Sequence, residues 1–315
     1  MVIRVKLAAT DLDVFPVCLG GNVFGWTADE QTSFEVLDAY AGAGGNFIDT
    51  ADVYMAGVPG NRGGDSETVI GRWLAKRGRR DDVVIATKVG MWDRHPGLGA
   101  NNIRAAAEDS LRRLGIDYID LYYAHRDDES TPLTETLGAF DALVRAGRVR
   151  YVGASNYSAP RLRQALQISQ RENLAGYVAL QTHYNLMERD YESQLAGVAA
   201  EHKLAVLPYF ALAMGFLTGK YRAGTRVDSA RAQRASAYLD ERGERVLGVL
   251  EQVADAHQVS MAAVALAWLR AQPTVNVPIA SARTTDQLTG LVQAANLELT
   301  QDQVSALTQA SNRTS

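Results

Sequence analysis

Apolar residues along this chain alternate between two rhythms. Short apolar runs at 17–20, 46–48, 83–87, 118–123, 149–154, 177–181, 205–207 and 275–279 read as eight strands. Pro208 closes the seventh, because proline cannot donate to a sheet ladder. Between the runs lie stretches with the period of an amphipathic helix. Thr27-Ala-Asp-Glu30 has the form of a capping box ahead of Phe34, Leu37 and Ala41. Ile103, Leu111 and Leu114 share a face before Gly115, a helix stop. Leu133, Leu137, Phe140 and Leu143 form another stripe, ending at Gly147. Alternating strands and helices imply a parallel sheet, and eight such units fit a closed (β/α)8 TIM barrel better than an open doubly wound sheet.

Two segments fall outside the repeat. Residues 3–15 read as an N-terminal β-hairpin with Thr10-Asp11-Leu12-Asp13 at its turn, placed to plug the bottom of a barrel. Residues 209–240 form a long connection rich in Gly, Ser and Arg, of a length that is usually functional. The stretch from Thr300 to Ala310 predicts an extra C-terminal helix. No linker, low-complexity tract or repeat divides the chain, so residues 1–315 read as a single α/β domain.

Composition narrows the setting. The 47 % hydrophobic content suffices for a large core without disulfide or metal staples. A net charge of −4 provides no basic field for nucleic acid or an anionic membrane. Cys18 is the only cysteine, which excludes an intrachain disulfide or a cysteine-based metal site and fits a reducing cytoplasm. The N-terminus lacks a secretory h-region, and no apolar run reaches the roughly 18 residues of a membrane span. The expectation is a cytoplasmic protein with no metal, for which a monomeric state is compatible.

The motif search begins with absences. Gly42-Ala-Gly-Gly45 ends a helix and precedes a strand, the reverse of the dinucleotide fingerprint. Gly215-Phe-Leu-Thr-Gly-Lys220-Tyr221 is one residue too short for a phosphate loop and lacks the hydroxyl after the lysine. No His-Glu-x-x-His and no Gly-x-Ser-x-Gly is present.

What is present is a set of polar residues at strand ends. Asp49 follows the second run, Tyr54 lies in the loop after it, Lys88 ends the third run and His125 follows the fourth. In a barrel these ends share one rim, where active sites form. Singly, each has a plainer reading as a cap, a loop anchor, a solvated charge or a rim histidine. Together they are harder to dismiss, because a lysine at the end of a buried strand needs an anionic partner and Asp49 supplies one. The group suits carbonyl reduction. A hydride arriving at a carbonyl carbon leaves charge on oxygen, which something must protonate. Tyrosine, with a pKa of about 10, is a reluctant acid. A neighbouring Lys88 is expected to lower that value, with Asp49 holding Lys88 charged and His125 orienting the carbonyl.

The chain resembles the aldo-keto reductases nearly end to end. The residues that carry the resemblance are Gly45-Asn-Phe-Ile-Asp49-Thr-Ala-Asp-Val-Tyr54, Gly64-Asp-Ser-Glu67, Ile85-Ala-Thr-Lys88, Tyr118-Ile-Asp-Leu-Tyr-Tyr-Ala-His125, Gly153-Ala-Ser-Asn156, Leu217-Thr-Gly-Lys220-Tyr221 and Gln287-Leu288. The resemblance implies Asp49, Tyr54, Lys88 and His125 as a catalytic tetrad with Tyr54 the general acid. It also implies NADPH bound across the barrel rim without a Rossmann domain. Asp49, Ser155, Asn156 and Gln181 match the nicotinamide end, and Tyr209 the aromatic beneath the ring. Leu212, Gly215 and Lys220 match the pyrophosphate loop; Arg231 belongs to an arginine-rich stretch placed to fold over the phosphates, for which a solvated charge run is the plainer reading. Ser281 and Arg283 match the 2′-phosphate site, and Gln287 a position near the adenosine. A guanidinium at Arg283 favours NADPH over NADH.

Three departures from the family pattern stand out: Phe210-Ala211 replaces a usual Ser-Pro, Gly290 and Leu291 replace a usual Glu-Asn, and Ser281 replaces a frequent glycine. They predict a weaker or differently held adenine. Asn22, Phe24, Trp26, Met55, Trp92, Arg126 and Phe216 lie in predicted rim loops and are expected to form a pocket for a hydrophobic or aromatic aldehyde or ketone. The alternative is a slow, redox-sensing regulatory subunit like the potassium-channel β subunits. Those carry asparagine at the position of His125, so histidine favours an enzyme.

Overall fold

The computed structural model describes residues 3–222 and 224–313. Eight parallel strands form its centre: β1 (Cys18–Gly20), β2 (Phe47–Asp49), β3 (Val84–Val89), β4 (Ile119–Ala124), β5 (Val149–Ser155), β6 (Tyr177–His183), β7 (Ala205–Tyr209) and β8 (Ile279–Ala280). They hydrogen-bond in the order β7-β6-β5-β4-β3-β2-β1-β8. The cylinder closes where Val206 bridges Val275, the Val206 carbonyl accepting from the N–H groups of Asn276 and Val277. The eighth strand is shorter than the sequence suggests. Pro278 lacks an N–H, so regular pairing begins only at Ile279.

The helices α1 (Glu30–Gly42), α2 (Asp65–Arg77), α3 (Ala100–Leu114), α4 (Leu133–Arg145), α5 (Ala159–Glu172) and α6 (Leu195–Glu201) follow β1 to β6 in turn. After β7 come a 3-10 turn (Ala213–Thr218), the short α7 (Ala232–Ser236), α8 (Glu241–His257) and α9 (Met261–Arg270), so the 209–240 connection carries regular elements of its own. After β8 come α10 (Thr285–Asn296) and α11 (Gln301–Ala310), the expected extra helix. The result is a (β/α)8 barrel whose strands are buried on both faces.

Local chemistry sets the ends. Gly115 takes the left-handed conformation that terminates α3. The cap of α1 is Asp29, whose carboxylate accepts from the Thr32 N–H, and not Thr27, whose hydroxyl is buried without a partner. A capping box does form at α11, between Thr300 and Gln303.

The N-terminal hairpin pairs Val5–Lys6 with Asp13–Val14. Its tight turn lies earlier than 10–13: the Leu7 N–H donates to the Leu12 carbonyl, and Ala8 adopts a positive φ. Leu7, Leu12 and Val14 join Cys18, Phe47, Leu121 and Val277 in the barrel's interior cluster, so the hairpin plugs the end opposite the strand C-termini. A second hairpin, Met91–Trp92 with His95–Pro96, rises after β3 and was not legible as strand. No helix among the described residues is long and apolar enough to cross a membrane.

Candidate active site

Parallel strands bring their carboxyl ends to one rim, and four of them deliver the buried polar centre. Asp49 ends β2, Lys88 lies on β3, His125 follows β4 and Gln181 sits on β6, and all four are at least nine-tenths buried. The Lys88 Nζ donates to Asp49 Oδ2 at 2.6 Å, to the Thr50 carbonyl at 2.6 Å and to Tyr54 Oη at 3.1 Å. Its three protons are therefore all engaged. Gln181 Nε2 donates to the other carboxylate oxygen of Asp49 at 2.8 Å.

The electrostatics follow from this closure. Burial alone would push Lys88 down, but Asp49 and Tyr54 outweigh it and hold the ammonium above its ordinary value. Burial pushes the Asp49 carboxyl up, against Lys88. Burial likewise pushes Tyr54 up, and Lys88 opposes that shift without overcoming it. Lys88 thus acts on Tyr54 in the expected direction, but burial is the larger effect and the net shift is upward, not downward. The phenol rests protonated and accepts from the ammonium, so its own proton is free to be given elsewhere. His125 stands edge-on to Tyr54 with ring centroids 6.1 Å apart. Burial, with help from Lys88 and Arg126, holds His125 well below its ordinary value, so its imidazole is neutral. Its Nδ1 has no partner.

A cavity of about 660 Å³ lies over this centre. Asp49, Tyr54, His125 and Gln181 reach its wall, while Lys88 stands behind them. Ser155 and Asn156 line it as well. Asn156 Nδ2 donates to the His125 carbonyl at 2.8 Å, and Tyr209 Oη donates to Asn156 Oδ1 at 2.7 Å. The Tyr209 ring lines the cavity and is backed by His183, stacked at 5.3 Å.

The cavity continues along the β7 and β8 loops past Leu212, Gly215, Lys220 and Arg231 to Ser281, Arg283 and Gln287. Phe210, Ala213, Met214 and Gly215 all have positive φ, so strained backbone is concentrated in this wall. Gly290 and Leu291 also line the cavity. A Cβ at Gly290 would come within 2.7 Å of Ser260 Oγ, so glycine lets α10 approach the N-cap of α9. Among the described residues, no three His, Cys, Asp or Glu side chains group so as to hold a metal ion.

The expected substrate pocket needs correction. Asn22, Trp26 and Arg126 do line the cavity. Phe24, Met55, Trp92 and Phe216 do not. Phe24 and Phe216 are fully buried in the hydrophobic core. Met55 occupies a half-buried turn at φ 74° away from the wall. Trp92 packs under Gly63 and the Arg113 guanidinium. Side chains alternate along a strand, so the unforeseen hairpin turns Trp92 inward and presents Met91, 37 % exposed, to the cavity instead. Met214, Ser229, Ser260 and Ala262 also stand on the wall, outside any motif recognisable in the sequence.

The sequence model of the aldo/keto reductase family matches residues 16–312. The chain is 33 % identical over 325 residues to protein Tas of Escherichia coli, covering 94 % of each chain. It is 36 % identical over 305 residues to the oxidoreductase YrpG of Bacillus subtilis, covering 93 % of this chain and 91 % of that one. It is 32 % identical over 321 residues to norsolorinic acid reductase B of Aspergillus parasiticus, covering 96 % of this chain and 82 % of the relative.

Proposed function

Because the chain belongs to the aldo/keto reductase family, we propose that it reduces an aldehyde or ketone to the alcohol with NADPH, Tyr54 acting as general acid. The observation that carries the reading is the buried relay from Asp49 through Lys88 to Tyr54, which opens at the phenol onto the cavity.

The cavity's chemistry fits the cofactor. Lys220, Arg231 and Arg283 line its far arm, where Lys220 rests over the Tyr221 ring and Arg231 over the Trp26 ring. Burial, then the like charge of Arg283, pushes Arg231 below its ordinary value. Cations held this close suit the pyrophosphate and 2′-phosphate of NADPH. Ser155, Asn156 and Gln181 would hold the carboxamide end, Tyr209 the ring, and Leu212, Gly215, Ser281 and Gln287 the remainder.

When bound, the reduced nicotinamide supplies the hydride. The protein's residues do the rest. His125, neutral, donates one N–H to the carbonyl oxygen and fixes its position. Tyr54 gives its proton to that oxygen, and the Lys88 ammonium stabilises the phenolate left behind. Asp49 keeps Lys88 charged and aimed. Trp26 and Met91, both over one-third exposed, offer an apolar mouth for the body of a small carbonyl compound, with Arg126 beside it. The buried, unpaired thiol of Cys18 suits a reducing cytoplasm.

Changing Tyr54→Phe removes the proton donor and keeps the ring. Reduction of 4-nitrobenzaldehyde should fall by roughly 10²–10⁴, with NADPH binding, read by its fluorescence, preserved. Turnover near the wild-type rate would sink the mechanism.

A further inference from the structure

Three buried carboxyl groups lie beneath the catalytic rim, and two cations serve them. Asp49 takes Lys88. Glu67, on α2 and fully buried, takes Arg113 Nε at 2.6 Å and the Thr87 hydroxyl at 2.5 Å. Arg113, reaching over from α3, otherwise contacts Ser110 Oγ and the Trp92 ring. The third is Asp52, in the loop between Asp49 and Tyr54. It is fully buried, and neither carboxylate oxygen has a hydrogen-bond partner of good geometry, the N–H of the adjacent Val53 facing the group without satisfying it. The groups facing it are Glu67 from α2, Arg113 from α3, Lys88 from β3 and Tyr122 from β4, whose hydroxyl is also unpartnered. Both cations among them are engaged elsewhere. A buried carboxylate with no cation of its own and only a poorly placed backbone N–H beside it is too costly to persist, and the group protonates instead.

We propose that Asp52 is a neutral carboxylic acid in the folded protein, and that its lack of charge leaves the Lys88 ammonium undivided between Asp49 and Tyr54. Asp52 is then a positioning residue that acts through its charge state. Its backbone N–H also points to the Lys88 carbonyl at 3.4 Å, which ties the loop to β3. Burial, followed by Glu67, pushes its carboxyl up to about 8, against Arg113, the Val53 N–H and Lys88. In mildly alkaline solution its O–H bond breaks and the proton leaves to solvent. The new negative charge then competes with Asp49 for Lys88 and makes the Tyr54 phenolate harder to form. Reduction should therefore slow as pH rises through about 8, through a group that is not the proton donor.

The protonation stands on its own, whereas its catalytic consequence rests on the reductase reading. Infrared spectra of the full-length protein, from two units below to two units above about pH 8, read the carbonyl stretch of protonated carboxylic acids without turnover. The expected result is a band that disappears through that range, is absent in Asp52→Asn and shifts to lower pH in Glu67→Gln, where the neighbouring negative charge is gone. The second variant keeps the test open should Asp52→Asn fold poorly. A wild-type protein with no titrating band, or a band that survives in Asp52→Asn, overturns the assignment. In steady state, Asp52→Asn should lose the alkaline limb of kcat near pH 8 with KM little changed. An unchanged limb in a variant lacking the band overturns the positioning role. Absence of all carbonyl turnover would undo the reductase reading and leave the infrared result intact.

Discussion

The two arms of the cavity are built on opposite principles. At the tetrad end, Lys88 gives all its protons to Asp49, Thr50 and Tyr54, and both oxygens of Asp49 are taken. At the β7–β8 end, Lys220 and Arg231 lie over aromatic rings, and Arg231 feels Arg283 as a repelling neighbour. The first arm is preorganised and needs nothing from outside to hold its geometry. The second carries like charges close together, an arrangement that an anionic ligand relieves. The contrast separates two kinds of order: the arm proposed as catalytic satisfies its own charges, and the cationic arm leaves its own unsatisfied.

The largest test of that contrast is Lys88→Met. It leaves Asp49 buried with only Gln181 as a donor, and breaking a buried pair from one side typically costs about 3–5 kcal/mol. Urea unfolding should show a loss of that order, together with loss of reduction. The double variant Asp49→Asn/Lys88→Met should recover part of the stability and none of the activity. A single variant as stable as wild type would mean that the floor is not the closed ionic unit its geometry describes.

Arg283→Ala and Arg231→Ala should behave in the reverse way. Arg283→Ala breaks no partnered side chain and should alter stability within about 0.5 kcal/mol, whereas Arg231→Ala gives up its stacking on Trp26, worth about 1 kcal/mol, offset in part by relief of the Arg231–Arg283 repulsion. NADPH affinity should fall about tenfold or more in each, since a phosphate loses a charge-assisted partner. Arg283→Ala should weaken NADPH far more than NADH. Equal losses for the two cofactors, measured by fluorescence titration, would show that Arg283 does not read the 2′-phosphate.

The same division explains what was legible in the sequence. The placing of the polar floor was, because strand ends in a parallel barrel fall on one rim and Asp49, Lys88 and His125 each close or follow a recognisable apolar run, with Tyr54 in the loop after the first of them. The eight-unit architecture was legible for the same reason, apart from the shortened β8, where Pro278 removes a donor. The rim loops were not. A two-residue hairpin strand such as Met91–Trp92 carries too little pattern to fix its phase, and a one-residue error exchanges the side chain that faces the cavity for the one that faces the core. Phe216 was misplaced because the left-handed conformations of Ala213, Met214 and Gly215 redirect the chain just before it. The direction of the Tyr54 shift was missed because burial of a loop residue depends on packing that no local motif reports. Asp52, lying inside the motif that marked the floor, drew no notice because its significance is the absence of a partner.

The smallest expected effect concerns the one fully buried polar atom of the proposed tetrad that lacks a partner, Nδ1 of His125. Burial, then Lys88 and Arg126, holds this imidazole well below its ordinary value. Its proton affinity is therefore higher in the unfolded chain than in the native protein. Between the native value and the ordinary one of about 6.5, the unfolded state binds the extra proton, so stability falls as pH drops through that range. One such group contributes at most about 1.4 kcal/mol for each pH unit. His125→Gln, which keeps a hydrogen-bonding side chain and cannot titrate, should show a correspondingly shallower decline in urea midpoint on acidification. His183, also held low by burial, contributes to the slope of both proteins and cancels in the comparison. The kinetics should diverge from the stability: kcat for reduction should show no acid-side loss at the ordinary histidine value, because the imidazole in the native site is already neutral. An acid limb near that value that vanished in His125→Gln would mean that His125 titrates as a solvated group, and that the floor is more open to water than its burial implies.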